Sequence, residues 1–188
     1  EVEGAGKYDN WGERNEAFAD SIKGLTGENY VATAEQADAM ELGKLYAIQT
    51  TASTTEGAQY VYCKKLVKNE TGERPLYTGY HSTVSAFYYG TLIVGDQFDG
   101  NFDGYSALDT NIPLSSLKEP TVFDSPATFA VAGVLPGWTA ALQLMRAGER
   151  WMLYIPWQSA YGSSGNNDGT IPGYTALTFT LLLERIVE

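Results

Sequence analysis

Residues 134–149 read Val-Leu-Pro-Gly-Trp-Thr-Ala-Ala-Leu-Gln-Leu-Met-Arg-Ala-Gly-Glu, and this stretch decides the fold. Apolar side chains recur at positions 138, 141, 142 and 145, which is the spacing of one helix face that packs on a core. Pro136-Gly137 is a suitable start for such a helix, and Gly148 is a suitable end. The sequence therefore predicts a short helix over 138–145 with one buried face.

Strand-forming segments lie on both sides of this helix, at 45–50, 59–68, 83–92, 149–155 and 176–186. In the last of them, leucine and phenylalanine occupy every second position from 177 to 183, which is the period of a β-strand. One helix among several antiparallel strands predicts an α+β fold, in which the helix covers one face of a curved sheet.

The chain begins with an acidic region of different character. Residues 1–44 contain one amphipathic helical pattern over 10–23, ended by Gly24, and a second over 34–42 that Thr33 would cap. The first pattern places three apolar residues on one stripe: Trp11, Phe18 and Ile22. We therefore expect an N-terminal helical extension over 1–44 that packs on another surface.

The main domain is expected over 45–188, and it contains a long irregular segment. This segment covers about residues 100–125 and is too long for a simple connector between two strands. The sequence predicts that it is an insertion with a function or with mobility of its own.

Charge and composition exclude several classes of protein. The net charge is -11, from 12 Lys and Arg against 23 Asp and Glu, so a nucleic-acid partner is not expected. The sequence has no apolar window long enough to span a membrane. Cys63 is the only cysteine and His81 the only histidine, which excludes an intrachain disulfide and metal sites built from several thiolates or imidazoles. Cys63 is expected in the core, and His81 in a solvated turn.

One motif resembles the start of a calcium-binding loop. Asp99, Asn101, Asp103 and Gly104 follow the pattern D-x-[DN]-x-[DN]-G. The segment before them favours a strand and not the helix that such a loop needs, and short runs of Asp, Asn and Gly are also typical of turns. A turn is the preferred interpretation, and calcium binding is the alternative.

Four segments, in order, resemble the FKBP family of peptidyl-prolyl isomerases. They are Ala86-Phe-Tyr-Tyr-Gly-Thr-Leu92, Gln97-Phe-Asp99, residues 134–149, and a last segment from Ile155-Pro156 through Ala160-Tyr-Gly162 to Ile171-Pro172 and Leu177-Thr-Phe179. Residues 126–148 are especially similar to the macrophage-infectivity-potentiator group of bacterial members. The resemblance covers about residues 59–187 and implies a twisted antiparallel half-barrel sheet wrapped around one short helix.

The resemblance also implies a proline-binding pocket between the helix and the sheet. Its catalytic residues would be Tyr88, Asp99, Trp138, Tyr161 and Phe179. Its substrate-binding residues would be Phe98, Phe129, Val134, Leu135 and Ile171. By this resemblance the Trp138 indole forms the pocket floor and Asp99 is the lone carboxylate at the rim. The Leu135 N–H and the Tyr161 hydroxyl would donate hydrogen bonds to substrate carbonyls.

The function implied by the resemblance is peptidyl-prolyl cis-trans isomerisation, by desolvation and twisting of the X–Pro bond in an aromatic pocket. The alternative is a peptide-binding chaperone module with the same pocket and little or no catalysis. Expected partners are proline-containing, unfolded or partly folded polypeptides, and macrolide-type inhibitors; no cofactor or metal is needed. The expected location is the bacterial cell envelope, periplasmic or lipid-anchored, after removal of a signal.

Overall fold

The computed structural model describes residues 6–52, 54–104 and 117–188. Within these ranges the α-helices are α1 (Trp11–Thr26), α2 (Ala34–Asp38) and α3 (Pro136–Leu142). The β-strands are β1 (Leu45–Gln49), β2 (Tyr60–Val67), β3 (Thr83–Thr91), β4 (Gln97–Gly100), β5 (Ala127–Ala130), β6 (Arg150–Ile155) and β7 (Leu177–Ile186). Short 3-10 helices at Val131–Gly133 and Trp157–Ser159 follow β5 and β6.

The seven described strands form one open, antiparallel sheet in the order β1-β2-β6-β7-β3-β4, and β5 also pairs with β3. Strands β4 and β5 pair with the same edge of β3: β4 with the end of β3 and β5 with the beginning of β3. The predicted α+β fold, with an antiparallel sheet around a short helix, is confirmed.

The helix α3 covers one face of the sheet, and the main core lies between them. Alternate residues of β6 and β7, such as Trp151, Leu153 and Phe179, point to this face, which we call the inner face. A Cβ atom added at Gly137 would lie 2.7 Å from Ile155 Cγ2. The close approach of the helix to the sheet therefore requires glycine at position 137. The helix is thus fixed directly against β6.

The end of α3 differs from the prediction. The helix stops at Leu142, and all its residues from Gly137 to Leu142 are buried, so burial extends beyond the one face that was predicted. Met145 is fully buried in the turn after the helix. The chain continues as a turn in which the Met145 N–H still donates to the Ala141 carbonyl at 3.0 Å. Gly148 then has a φ of 91°, a left-handed conformation that favours glycine, and leads the chain into β6.

The opposite, outer face of the sheet carries a second, smaller cluster. Its buried members are Ile22, Leu45, Tyr62, Leu66, Met152 and Tyr154. Phe18 of α1 and Leu117 of the insertion pack against this cluster. The outer face is therefore covered in part by segments that lie outside the strand pattern.

The N-terminal extension shares the core with the sheet. Trp11 belongs to the main core cluster, and its indole Nε1 donates to Thr175 Oγ1 at 2.7 Å. Asn15 is fully buried and accepts a hydrogen bond from the Ala176 N–H at 2.8 Å. These contacts agree with the expectation that the extension packs on another surface; the boundary at residue 44 stays a prediction.

The helix ends in the extension also differ from the prediction. Helix α1 continues past Gly24 to Thr26, and Gly27, with a φ of 61°, donates its N–H to the Lys23 carbonyl. Helix α2 is capped by Thr33 as expected, but it ends at Asp38 and not at Leu42.

The insertion leaves the sheet edge and returns to it. Its residues 105–116 lie outside the described part of the chain. On the entering side Phe102 is buried edge-on against Phe87, with ring centroids 6.1 Å apart. On the returning side the Lys118 carbonyl accepts a hydrogen bond from Arg150. Phe87 and Arg150 belong to the outer face, so both described flanks lie on the side of the sheet opposite α3.

Candidate active site

An open cavity of about 450 Å³ lies between α3 and the inner face of the sheet. Its lining is mostly aromatic and aliphatic, with one carboxylate and two phenol groups: Tyr88, Phe98, Asp99, Phe129, Gly133, Val134, Leu135, Pro136, Trp138, Tyr161 and Phe179. Cavities of this size and composition are typical sites for a small apolar group with a few directed polar contacts.

The Trp138 indole is the centre of the aromatic cluster. It is 4% exposed, and three rings meet it at steep angles. The centroid distances are 5.3 Å to Tyr88, 5.0 Å to Phe129 and 5.2 Å to Phe179, with interplanar angles of 79°, 66° and 87°. These edge-to-face contacts are a favourable arrangement for aromatic rings, so each wall ring helps to fix the indole in place.

The register of three neighbouring strands brings the walls together. Gly90 of β3 pairs with Phe179 of β7 on one side and with Asp99 of β4 on the other. A Cβ atom at Gly90 would lie 2.7 Å from Phe179 Cε1 and 2.8 Å from Phe98 Cζ. Glycine at this position therefore leaves the space in which the two rings meet, at a centroid distance of 5.5 Å.

Two tyrosine hydroxyls and one carboxylate are the polar groups of the cavity. Burial raises the pKa of Tyr88, and a hydrogen bond with the Asp99 carboxylate raises it further. Burial also raises the pKa of Tyr161, with a smaller contribution from the negative charges of Asp99 and Asp168. Both phenols are thus held in the protonated, hydrogen-bond-donating form at neutral pH.

Asn101 supports Tyr88 from the edge of the sheet. Its side-chain Oδ1 accepts from the Tyr88 N–H at 2.8 Å, and its Nδ2 donates to the Ala86 carbonyl at 3.0 Å. The side chain thereby supplies the hydrogen bonds of a strand between the end of β4 and the start of β5. The sequence motif indicates only a turn residue or a calcium ligand at Asn101, since a link to the backbone of β3 depends on strand register.

Nine of the ten predicted site residues line the cavity. Ile171 does not line it. Its side chain is 3% exposed and belongs to the main core, and its backbone forms two hydrogen bonds with Asn166, at 2.8 and 3.1 Å. Ile171 thus anchors the loop that follows Tyr161. The catalytic and binding roles of all ten residues stay predictions, while Gly133 and Pro136 are lining residues that the sequence did not single out.

The other candidate residues have structural surroundings. Cys63 is fully buried, and burial raises the pKa of its thiol, which disfavours a nucleophilic thiolate. His81 is exposed and stacks on Tyr77 with a centroid distance of 4.9 Å, as expected for a turn histidine.

Side chains of the calcium-like motif also form other interactions. The Asn101 amide is bound to β3, and Asp103 pairs with Lys118 at 3.5 Å. Within residues 6–52, 54–104 and 117–188, no group of three or more His, Cys, Asp or Glu side chains is placed to hold a metal ion. In the same ranges no helix has the length and apolar character needed to cross a bilayer.

A family model described as FKBP-type peptidyl-prolyl cis-trans isomerase matches residues 78–184. The chain belongs to this family. The match runs from the loop before β3 to the second half of β7, and it therefore includes every residue that lines the cavity.

Curated members of the FKBP family resemble this chain over part of their length. The FkpA isomerase of Aeromonas hydrophila is 33% identical over 134 residues, which cover 71% of this chain and 40% of that protein. A macrophage infectivity potentiator of Trypanosoma cruzi is 49% identical over 78 residues, covering 38% of this chain and 39% of that protein. The matches span less than half the length of these relatives.

Solved structures of family members have the same fold. FkpA of Escherichia coli has a TM-score of 0.56 and 26% identity, over 96% of this chain and 62% of that chain. A peptidyl-prolyl cis-trans isomerase of Pseudomonas syringae has a TM-score of 0.54 and covers 93% of this chain and 96% of that one. At 22% identity, the second comparison shows the fold alone.

Proposed function

We propose that this chain catalyses cis–trans isomerisation of X–Pro bonds in polypeptide substrates. The observation that carries the proposal is the open cavity of about 450 Å³ that is lined by the Trp138 indole and by the aromatic rings in contact with it. Its size and apolar lining suit a prolyl ring, and the phenols and the carboxylate at its margin suit the flanking peptide groups.

The chemistry needs neither a nucleophile nor a cofactor. An X–Pro bond is nearly balanced between cis and trans, but rotation takes tens to hundreds of seconds because amide resonance gives a barrier of about 18–20 kcal/mol. Twisting the bond removes the resonance and makes the amide less polar. An apolar cavity that excludes water therefore disfavours the planar amide more than the twisted one, and about 1.4 kcal/mol of this difference speeds rotation tenfold.

We assign the cavity residues to positions around the bound proline. The prolyl ring would lie on the face of Trp138, between the side chains of Tyr88 and Phe179. The Tyr161 hydroxyl and the Leu135 N–H would donate to substrate carbonyls and hold the chain on each side of the rotating bond. Asp99 would orient the Tyr88 hydroxyl, whose pKa it raises together with burial.

The proposed substrates are polypeptides, and the proposed location of the protein is the bacterial cell envelope. The cavity is open at one side, so a proline within an unfolded or partly folded polypeptide can enter it, and macrolide-type inhibitors would compete for the same space. A location in the bacterial cell envelope is supported by a relative named outer membrane protein MIP, from Legionella longbeachae, 40% identical over 106 residues.

A protease-coupled assay on a short Xaa-Pro peptide tests the proposal. We expect Trp138→Phe and Phe179→Ala to lower kcat/KM by roughly 10- to 100-fold, since each removes contacts made with the twisted bond. Trp157→Ala is the matched control, because this tryptophan is not among the residues that line the cavity. Unchanged rates in folded Trp138→Phe and Phe179→Ala proteins would refute the cavity assignment. A wild-type protein that binds proline peptides without accelerating rotation would instead be a peptide-binding chaperone module.

A further inference from the structure

Two neighbouring apolar side chains project into solvent from the returning side of the insertion. Val122 and Phe123 are each 94% exposed. The next most exposed large apolar side chain in the described ranges is Leu25, at 61%. Scattered apolar side chains on a protein surface need no explanation, but two adjacent ones with almost their whole surface in water do.

The backbone holds these side chains outward. Thr121 and Asp124 close a turn around them: the Thr121 N–H donates to Asp124 Oδ2 at 2.7 Å, and the Asp124 N–H donates to the Thr121 carbonyl at 3.0 Å. The Phe123 N–H donates to Thr121 Oγ1 at 3.2 Å. We call residues 121–124 the apolar turn. The polar groups at its two ends hydrogen-bond to each other. The turn therefore has a defined local structure although its apolar side chains are exposed.

The apolar turn is fixed to the body of the protein on both sides. Before it, Leu117 packs on the outer-face cluster, and the Lys118 carbonyl accepts from the buried Arg150. After it, the chain enters β5, which carries Phe129 of the cavity wall. Phe129 is six positions after Phe123, so the Cα atoms of the two residues are at most about 20 Å apart. An extended substrate chain covers that distance with about six residues.

The small size of the surface favours a flexible partner. Two side chains offer on the order of 300 Å², whereas a stable interface between folded proteins buries roughly 1,200–2,000 Å². A second copy of the chain or a folded partner would therefore gain little here. An unfolded chain, by contrast, presents single apolar side chains and can meet the turn while one of its prolines is in the cavity.

We propose that Val122 and Phe123 bind an apolar stretch of the unfolded client chain whose X–Pro bond occupies the cavity. This inference rests on the proposed isomerase function. Contact at the turn makes the entry of a nearby proline an intramolecular step, which raises its effective concentration at the cavity. A short peptide cannot reach both places and gains nothing from the turn.

The test compares a short and a long substrate. Val122→Ser/Phe123→Ser should leave kcat/KM for a proline tetrapeptide within twofold of wild type, and should lower kcat/KM at least fivefold for refolding of a protein limited by one X–Pro bond. Leu25→Ser/Leu42→Ser is the matched control: it removes two exposed apolar side chains from the N-terminal extension and should change neither rate. An equal effect of the turn variant on both substrates, or on neither, would overturn the proposal.

Direct binding separates this proposal from the isomerase function. A permanently unfolded, labelled polypeptide should bind wild-type protein more tightly than the turn variant, in fluorescence anisotropy, even where tetrapeptide activity proves absent. Equal binding would overturn the proposal. The proposal would also be overturned if the turn variant lost self-association, or sedimentation with lipid vesicles, without any change in refolding rate. The turn would then bind a second copy of the chain or a membrane.

Discussion

Asn101 and Tyr88 are joined by reciprocal hydrogen bonds: the Asn101 side chain accepts from the Tyr88 N–H, and the Asn101 N–H donates to the Tyr88 carbonyl. The same carboxamide also donates to the Ala86 carbonyl. These bonds lie at the point where the insertion leaves the sheet. One side chain thus supplies the hydrogen bonds along this edge of β3. Tyr88 therefore keeps its place in the cavity wall although the strand beside it is interrupted.

Asn101→Ala should therefore damage both stability and activity. The loss of two hydrogen bonds to partly buried backbone groups is expected to cost about 1–3 kcal/mol in the free energy of unfolding. The released edge of β3 would let Tyr88 shift, so kcat/KM for a proline tetrapeptide should fall. Asn101→Asp is the informative companion, since its carboxylate can accept from Tyr88 N–H but cannot donate to Ala86. It should rank between Ala and wild type in urea unfolding; a wild-type stability for Asn101→Ala would contradict this account.

The parts of this fold that depend on local pattern could be predicted from the sequence. The spacing of residues 138, 141 and 142 correctly predicts a buried helix, because helical spacing is visible within one segment, and Met145 is buried in the turn that follows. The end of α3 could not be predicted, since residues after Leu142 follow a turn that packing against the sheet selects. Strands β4 and β5 have four residues each, too few for a reliable alternation, and their pairing with β3 defines them.

In the candidate site, too, local features could be predicted from the sequence, whereas contacts between distant segments could not. Nine of the residues that the family resemblance implies line the cavity, whereas Ile171 lies in the core, at a position that depends on how the loop after Tyr161 closes. The roles of all ten stay predictions. The role of Asn101 depends on strand register. The pairing of Asp38 with Arg146 joins residues 108 positions apart in the sequence, and no local pattern records it.

Gly90→Ala should fill the space that the wall rings need. The added methyl group would lie within 3 Å of both Phe179 and Phe98, so the rings must move toward the cavity or the sheet must distort. We expect a loss of about 1–3 kcal/mol in stability and a rise in KM for proline peptides. Gly24→Ala is the matched control: it lies inside α1 with no atom within 4 Å of the new methyl, and it should stabilise the protein by about 0.5–1 kcal/mol. Unaltered peptide kinetics in folded Gly90→Ala would show that the rings have room to spare.

The raised pKa values of the two cavity phenols predict a flat pH profile. Burial holds the pKa of both Tyr88 and Tyr161 above the ordinary value of 10.0, so the donating, protonated forms persist as the pH rises. We expect kcat/KM to be constant from about pH 6 to about pH 9. Tyr161→Phe should lower kcat/KM by roughly 3- to 10-fold, through loss of one hydrogen bond, without changing the shape of the profile. An alkaline decline in wild-type activity centred below pH 9 that disappears in Tyr161→Phe would refute the assignment of a raised pKa.

The ion pairs of Asp38 link the N-terminal extension to the loop after α3, and we predict that this link weakens in acid. Its carboxylate accepts two hydrogen bonds from Arg146, each at 2.9 Å, and further ones from Arg74; these bonds hold the pKa of Asp38 well below its ordinary value of 3.8. Because the folded state has the lower pKa, the pair stabilises the protein above about pH 4, and this contribution is lost progressively as the pH falls below that value. The Asp38 side chain is 38% exposed, so solvent screening limits the contribution to about 1 kcal/mol.

Asp38→Asn should therefore unfold at lower urea concentration than wild type at pH 7, and the difference should shrink as the pH is lowered from about 4 and as salt is added. Glu35→Gln, on the same short helix, is a matched control because the described part of the chain gives this carboxylate no ion pair. A difference between Asp38→Asn and wild type that is the same at pH 3 and pH 7 would mean that the ionised carboxylate contributes nothing to holding the extension on the domain.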